Sequence, residues 1–145
     1  MSFLVDANLL VYAAMPSAAE HAPSRQWLER AFDDDDQVVG LAWSTLYAFV
    51  RLVSNRRVVA NRAVPVREAW SAAEGYRQQR NAVIVEPGAG HASIAGDLFQ
   101  TPGLSADDVP DVHLAALAIE RGLVLATHDH GFARFHNLRW IDPLR

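Results

Sequence analysis

Short apolar runs alternate along this chain with longer stretches in which apolar residues recur at helical spacing. Phe3-Leu4-Val5 predicts a buried strand, and Leu9 to Ala13 opens a helix. Ala18 to Phe32 carries Ala22, Trp27, Leu28, Ala31 and Phe32 on one helical face. Gln37 to Leu41 reads as a second strand, Trp43 to Val53 as a largely buried helix, and Ser54 to Val64 as a basic connector. Pro65 to Arg80 is amphipathic, with Val66, Ala69, Trp70, Ala73 and Tyr76 in register. Ala82 to Glu86 is a strand closed by Pro87-Gly88, and His91 to Gln100 a helix. A helix follows with Pro110 at its first position and Gly122 at its end. Leu123 to Thr127 is a fourth strand, and a short last strand lies near Leu138 to Ile141. Strands that alternate with helices imply an α/β fold: a mostly parallel sheet of four or five strands with helices on both faces. Repeats and linkers are absent, so residues 1–145 read as one domain.

This pattern brings three carboxylates to one edge of the sheet, two at strand ends and one at a helix start. Asp6 follows the first strand, and Asp129 follows the fourth in Ala126-Thr127-His128-Asp129-His130-Gly131-Phe132. Asp111 lies in the first turn of the helix between them. The carboxyl edge of a parallel sheet is where ligands bind, because strands end there and helix N-termini point into the same crevice. Asp6 by itself could equally do no more than cap its helix. A set of apposed carboxylates is costly unless a cation compensates. Oxygen donors without thiolates suit Mg²⁺ or Mn²⁺, and such an ion activates water against a phosphodiester.

Composition narrows the chemistry. There is no cysteine, which removes thiolate metal sites and Cys nucleophiles. All 13 basic residues are arginine, so Schiff-base and P-loop mechanisms are excluded, and with them receiver domains and dehalogenase-type phosphatases that rely on a lysine. The net charge is −4, yet Arg51, Arg56, Arg57, Arg62, Arg67, Arg77 and Arg80 crowd the middle, a stretch suited to phosphate contacts or to a solvated face. Asp33 to Asp36 reads as a solvent-facing loop, since four adjacent acids cannot all point at one ion. No run approaches the ~20 apolar residues of a membrane helix, and no signal segment opens the chain, so a soluble cytoplasmic protein is expected.

The segments Phe3 to Tyr12, Pro110 to Ala118 and Ala126 to Phe132, in this order and at these spacings, resemble the PIN domain, specifically the VapC-type toxin ribonucleases of bacterial toxin–antitoxin pairs. The resemblance runs to the closing Leu138 to Pro143. It implies an endoribonuclease that uses Mg²⁺ or Mn²⁺, acts on structured RNA, inhibits translation and forms a homodimer. A small VapB-type antitoxin would hold it in check, placing an arginine among the acids. Asp6, Asp111 and Asp129 match the family's metal-binding and catalytic acids, and Asn8 and Thr127 match positions that support the site. Arg51, Arg56 and Arg57 are candidates for RNA phosphate contacts. Trp43 and Tyr47 could stack on bases, but their helical spacing places them in the core.

Two departures stand out. Many relatives carry a glutamate in the helix that here spans Trp43 to Val53 and contains no acid, with Ala48 or a neighbour in its place. Gly131 occupies a place that is often acidic. The chain could therefore be an RNA- or antitoxin-binding module that cuts poorly. A metal-independent ribonuclease built on His113, His128 or His130 is a further alternative. Whether Asp107 or Asp108 adds a ligand stays open; Asp108 shares the face of Asp111 only if the helix starts before Pro110.

Overall fold

The computed structural model describes residues 1–55 and 63–145. Five strands, β1 (Phe3–Val5), β2 (Val39–Leu41), β3 (Ala82–Ile84), β4 (Val124–Ala126) and β5 (Trp140–Ile141), form one sheet in the order β3-β2-β1-β4-β5. Every pairing is parallel. Six helices are described: α1 (Ala7–Ala14), α2 (His21–Asp33), α3 (Trp43–Val53), α4 (Val66–Arg77), α5 (His91–Leu98) and α6 (Val109–Arg121). Short 3-10 turns precede α6 at Ala106–Asp108 and follow β4 at His130–Arg134.

Alternation along each strand builds two cores, one per face of the sheet. Phe3 and Val5 of β1, with Val124 and Ala126 of β4, pack under α1 to α4 against Leu9, Leu28, Leu46 and Phe49. Leu4 and Leu125 face the other way, toward Leu98 of α5 and Val112 to Ala118 of α6. Ala115, Ala116 and Ala118 are fully buried, and their small side chains let α6 lie close to the sheet. Burial on both faces is why the strands read as continuous apolar runs.

The chain leaves β1 toward β2 and β3, then returns to lay β4 on the other side of β1. The winding direction therefore reverses between β1 and β4, and a crevice opens outside their carboxyl ends. That reversal brings Asp6 and Asp129 together from opposite ends of the sequence.

Several boundaries move for local reasons. The second helix begins at His21 and not Ala18, because Pro23 is tolerated only within a first turn. Asp6 caps α1 by accepting from the Ala7 N–H at 2.7 Å, so α1 begins two residues before Leu9. The fourth helix stops at Arg77; Asn81 then donates its side-chain N–H to the carbonyls of Ala31, Asp34 and Gln37 and closes the acid loop. Asp33, Asp35 and Asp36 in that loop are exposed, as expected, and Asp35 pairs with Arg80. Helix α3 is amphipathic rather than largely buried. Thr45, Leu46, Phe49 and Val53 face the core, whereas Tyr47 is 60% exposed and Trp43 half-buried. This overturns the expectation that Tyr47 is core: it lies on the outer stripe of α3, stacked between Trp43 and Trp70 at centroid distances of 6.1 and 6.3 Å. Gly122 ends α6 in the left-handed region at φ 65°, as its position predicts.

Gly40 in the middle of β2 has no room for a side chain. A Cβ there would lie 2.7 Å from Val85 Cγ2 and 3.0 Å from the Phe3 carbonyl oxygen, and backbone in a paired strand cannot give way. Gly40→Ala is therefore expected to lower stability by about 1–3 kcal/mol, read as a reduced urea midpoint at unchanged m-value.

Candidate active site

Asp6 stands at the crevice because β1 ends there and its carboxylate caps α1. One oxygen accepts from the Ala7 N–H at 2.7 Å, the other from the Thr127 hydroxyl at 2.7 Å. Thr127 follows β4 and is fully buried. Its hydroxyl also accepts from Asn8 Nδ2 at 3.3 Å and from the Asp129 N–H at 3.0 Å, so one donor and two acceptor positions are all used. Asn8 Oδ1 in turn receives the His128 N–H at 3.5 Å. Asp129 is exposed, and its Oδ1 accepts from the Gly131 N–H at 2.8 Å, capping the 3-10 turn after β4.

Asp111 enters from α6. That helix begins at Val109, and the 3-10 turn Ala106–Asp108 runs into it, so the helical path starts before Pro110. Asp108 consequently shares a face with Asp111, and Arg134 bridges them, donating from Nη2 to Asp108 Oδ1 and to Asp111 Oδ2, each at 3.0 Å. Asp108 also closes a capping box with Ser105, and the Ser105 N–H holds its carboxyl below the usual range. Asp107 is exposed. Arg134, which no sequence motif indicated, is a cation the chain brings to the site; its guanidinium lies 4.6 Å from the Phe135 ring. No motif marked it, because its role arises where the turn after β4 meets α6.

Electrostatics follow from this packing. Burial pushes the Asp6 carboxyl up to about 6; the Thr127 and Ala7 hydrogen bonds oppose the rise, and repulsion from Asp111 and Asp129 adds to it. Burial also raises Asp111, opposed by Arg134 and reinforced by Asp129. Among the described residues, Asp6 and Asp129 have no ion-pair partner. Such a deficit of positive charge, with three carboxylates around it, fits a hard divalent cation. The three carboxylates do not bring oxygens within 4.8 Å of one another all at once, a spread suited to an ion that keeps several of its waters.

A cleft of about 110 Å³ beside Asp6 and Asp111 is lined by Ser44, Thr45 and Ala48 of α3 and by His113. Ala48 thus lines the cleft beside Asp6 and Asp111, and Ser44 and Thr45 are lining residues that no sequence motif indicated. At Gly131, a Cβ would lie 2.7 Å from Arg134 Nη1 and 3.0 Å from Asp129 Oδ1. A side chain at 131 would have to displace the tip of Arg134. His113 is pushed down by burial and by the nearby His91, whereas His128 and His130 meet at Asp142. The three histidines therefore do not converge on the cleft as an acid–base pair would require. Arg51 is exposed on α3 and makes no ion pair with a described residue; Arg56 and Arg57 lie outside the described residues.

Asp6 binds its proton more tightly folded than unfolded, so its contribution to stability is full below the ordinary value of 3.8 and is lost as pH rises through about 6. That difference corresponds to at most about 3 kcal/mol. In EDTA, Asp6→Asn is expected to raise the unfolding midpoint relative to wild type at pH 8 and to lose that advantage at pH 4, measured by thermal denaturation at the two pH values.

Residues 3–138 match the PIN domain family. The chain is 39% identical to the VapC ribonuclease Mb2897 of Mycobacterium bovis, over 97% of this chain and 94% of that protein. It is 37% identical to the ribonuclease VapC37 of Mycobacterium tuberculosis, over 97% of this chain and 96% of that one. The fold superposes on the crystal structure of VapBC2 from Rickettsia felis bound to a promoter DNA fragment with a TM-score of 0.71, covering 97% of this chain and 98% of that chain at 19% identity. The parallel sheet, the carboxylates at its switch point and the near-full-length identity together establish that this chain belongs to the PIN-domain family, alongside the VapC ribonucleases.

Proposed function

We propose that this protein is a metal-dependent endoribonuclease, the toxin of a toxin–antitoxin pair, that hydrolyses phosphodiester bonds in structured RNA and thereby inhibits translation. The observation that carries this reading is the deficit of positive charge around Asp6, Asp111 and Asp129 at the β1/β4 crevice. The ribonuclease names of its relatives support RNA as substrate, and the VapBC complexes among its structural neighbours support a VapB-type antitoxin as partner. We read residues 1–145 as one catalytic unit that works as a homodimer in the cytoplasm.

Asp6, Asp111 and Asp129 would hold Mg²⁺ or Mn²⁺. When bound, the ion supplies Lewis-acid polarisation of the scissile phosphate and eases attack by water. The chain's part is positional. Thr127 and the Ala7 N–H fix both oxygens of Asp6, Thr127 and the Gly131 N–H fix Asp129, and Arg134 fixes Asp111. Asn8 keeps the Thr127 hydroxyl aimed at Asp6. Arg51, Arg56 and Arg57 are the arginines we assign to RNA phosphates.

A second reading rests on Ala48. With an apolar residue in the cleft where a fourth carboxylate would add to cation affinity, the chain could bind RNA and antitoxin yet cut slowly.

Partner-free protein incubated with total RNA in Mg²⁺, Mn²⁺ or EDTA separates these readings. Metal-dependent cuts bearing 5′-phosphates are expected, with losses of about 100-fold or more on Asp6→Asn, Asp111→Asn or Asp129→Asn. Cuts that persist in EDTA and leave cyclic phosphates would assign the chemistry to histidine, and RNA binding without cuts would leave the binding module. Ala48→Glu is expected to tighten Mg²⁺ binding by about tenfold through one added nearby charge, read by calorimetry; unchanged affinity would show that Ala48 does not face the ion.

A further inference from the structure

A second set of donors lies beyond the carboxylate cleft. His128 and His130 flank Asp129 in sequence, and both reach Asp142, the residue that follows β5. His128 Nδ1 lies 2.9 Å from Asp142 Oδ2 and 3.1 Å from Oδ1, and His130 Nε2 lies 2.7 Å from Oδ2. The three donor atoms fall within 4.8 Å of one another, and among the described residues no other group of three does so. The Asp142 side chain is only 6% exposed. Its Oδ1 accepts from the Leu144 N–H at 3.0 Å, while Arg145 Nε stays 3.8 Å from Oδ2. Trp140 packs on the His130 ring and Tyr12 on the His128 ring, with centroids 5.5 and 6.0 Å apart.

Two imidazoles and one carboxylate are a borderline donor set, the kind taken by Zn²⁺ and its first-row neighbours, whereas Mg²⁺ prefers oxygens alone. With metal–ligand bonds near 2.1 Å, tetrahedral ligand atoms stand about 3.4 Å apart, so the two N···O spacings need to open by roughly 0.5 to 0.7 Å, and the two imidazole nitrogens already stand within 4.8 Å of each other. His130, 42% exposed, has the freedom to make that adjustment and leaves a path for the ion and for water as a fourth ligand. The Leu144 N–H orients the carboxylate from behind, as outer-shell donors do at metal centres. The aromatic rings hold both imidazoles in place. Two N–H donors sharing one carboxylate would give similar spacings without a metal, and binding is what separates the two arrangements.

We infer that His128, His130 and Asp142 form a site for a divalent transition ion of the Zn²⁺ class, separate from the carboxylate cleft, that ties the loop bearing Asp129 to the segment after β5. The ion bridges two segments brought together by the β4–β5 pairing, so its occupancy stiffens the loop on which Asp129 is presented. The inference does not depend on nuclease activity.

The test is Co²⁺ titration of the full chain, stripped with EDTA and dialysed into excess Mg²⁺, followed by visible absorption, with Zn²⁺ calorimetry in parallel. One ion per chain is expected, with the intense d–d bands of a low-coordinate nitrogen and oxygen site. Asp6→Asn should retain this binding, whereas His130→Ala and Asp142→Asn should weaken it by about tenfold or more. His130 is exposed, so its variant keeps the fold, which circular dichroism checks; should Asp142→Asn unfold, His130→Ala alone decides. Absence of saturable binding in wild type, binding unaltered in His130→Ala, or loss in Asp6→Asn but not in His130→Ala would each overturn the assignment.

Discussion

The hydrogen bond from the Thr127 hydroxyl to the Asp6 carboxylate joins residues 121 positions apart, across the ends of two neighbouring parallel strands. It sets which way Asp6 points, and through the Asp129 N–H it sets where the loop after β4 begins. It works against a cost. Burial and two neighbouring carboxylates disfavour the ionised form of Asp6, and the Thr127 and Ala7 donors only partly offset them. A buried carboxylate of this kind stays in place only where the surrounding packing and hydrogen bonds hold it. Here the two cores that clamp β1 and β4 supply that constraint.

The rest of the crevice is arranged around this carboxylate. Helix α6, buried through its middle from Leu114 to Ala118, carries Asp111 to it from the second core. Arg134 then partly compensates one side, pairing Asp111 with Asp108, and among the described residues Asp6 and Asp129 have no cation partner. The two departures from the family pattern acquire a common physical form. At 131 the tip of the Arg134 side chain lies where a side chain would begin, and at 48 an apolar residue lines the cleft. Both reduce negative charge in the crevice, so any ion it binds is held by a smaller field.

Asp129 lies between two donor sets of different character. On one side are hard carboxylate oxygens that stand apart and suit a hydrated ion. On the other, two imidazoles and a well-buried carboxylate converge closely. Alternating residues after β4 thus feed two separate clusters, His128 and His130 toward Asp142 and Asp129 toward the crevice. The same loop backbone carries all three residues, from His128 to His130.

Much of the architecture was legible in the sequence because strands buried on both faces must be apolar throughout and the helices between them must keep one apolar stripe. The three aspartates were legible for the same reason: each ends or opens an element, and parallel strands end on one edge. Helix starts shifted where a single residue, Pro23 or Asp6, overrode the periodicity. What the sequence could not show is which distant side chains meet. Arg134 on the acids, Asp142 under two histidines, Ala48 in the cleft and Tyr47 on the outer face of α3 are decided by how helices and turns pack on the finished sheet. Local pattern encodes which face of an element is buried, and only tertiary packing decides what that face touches.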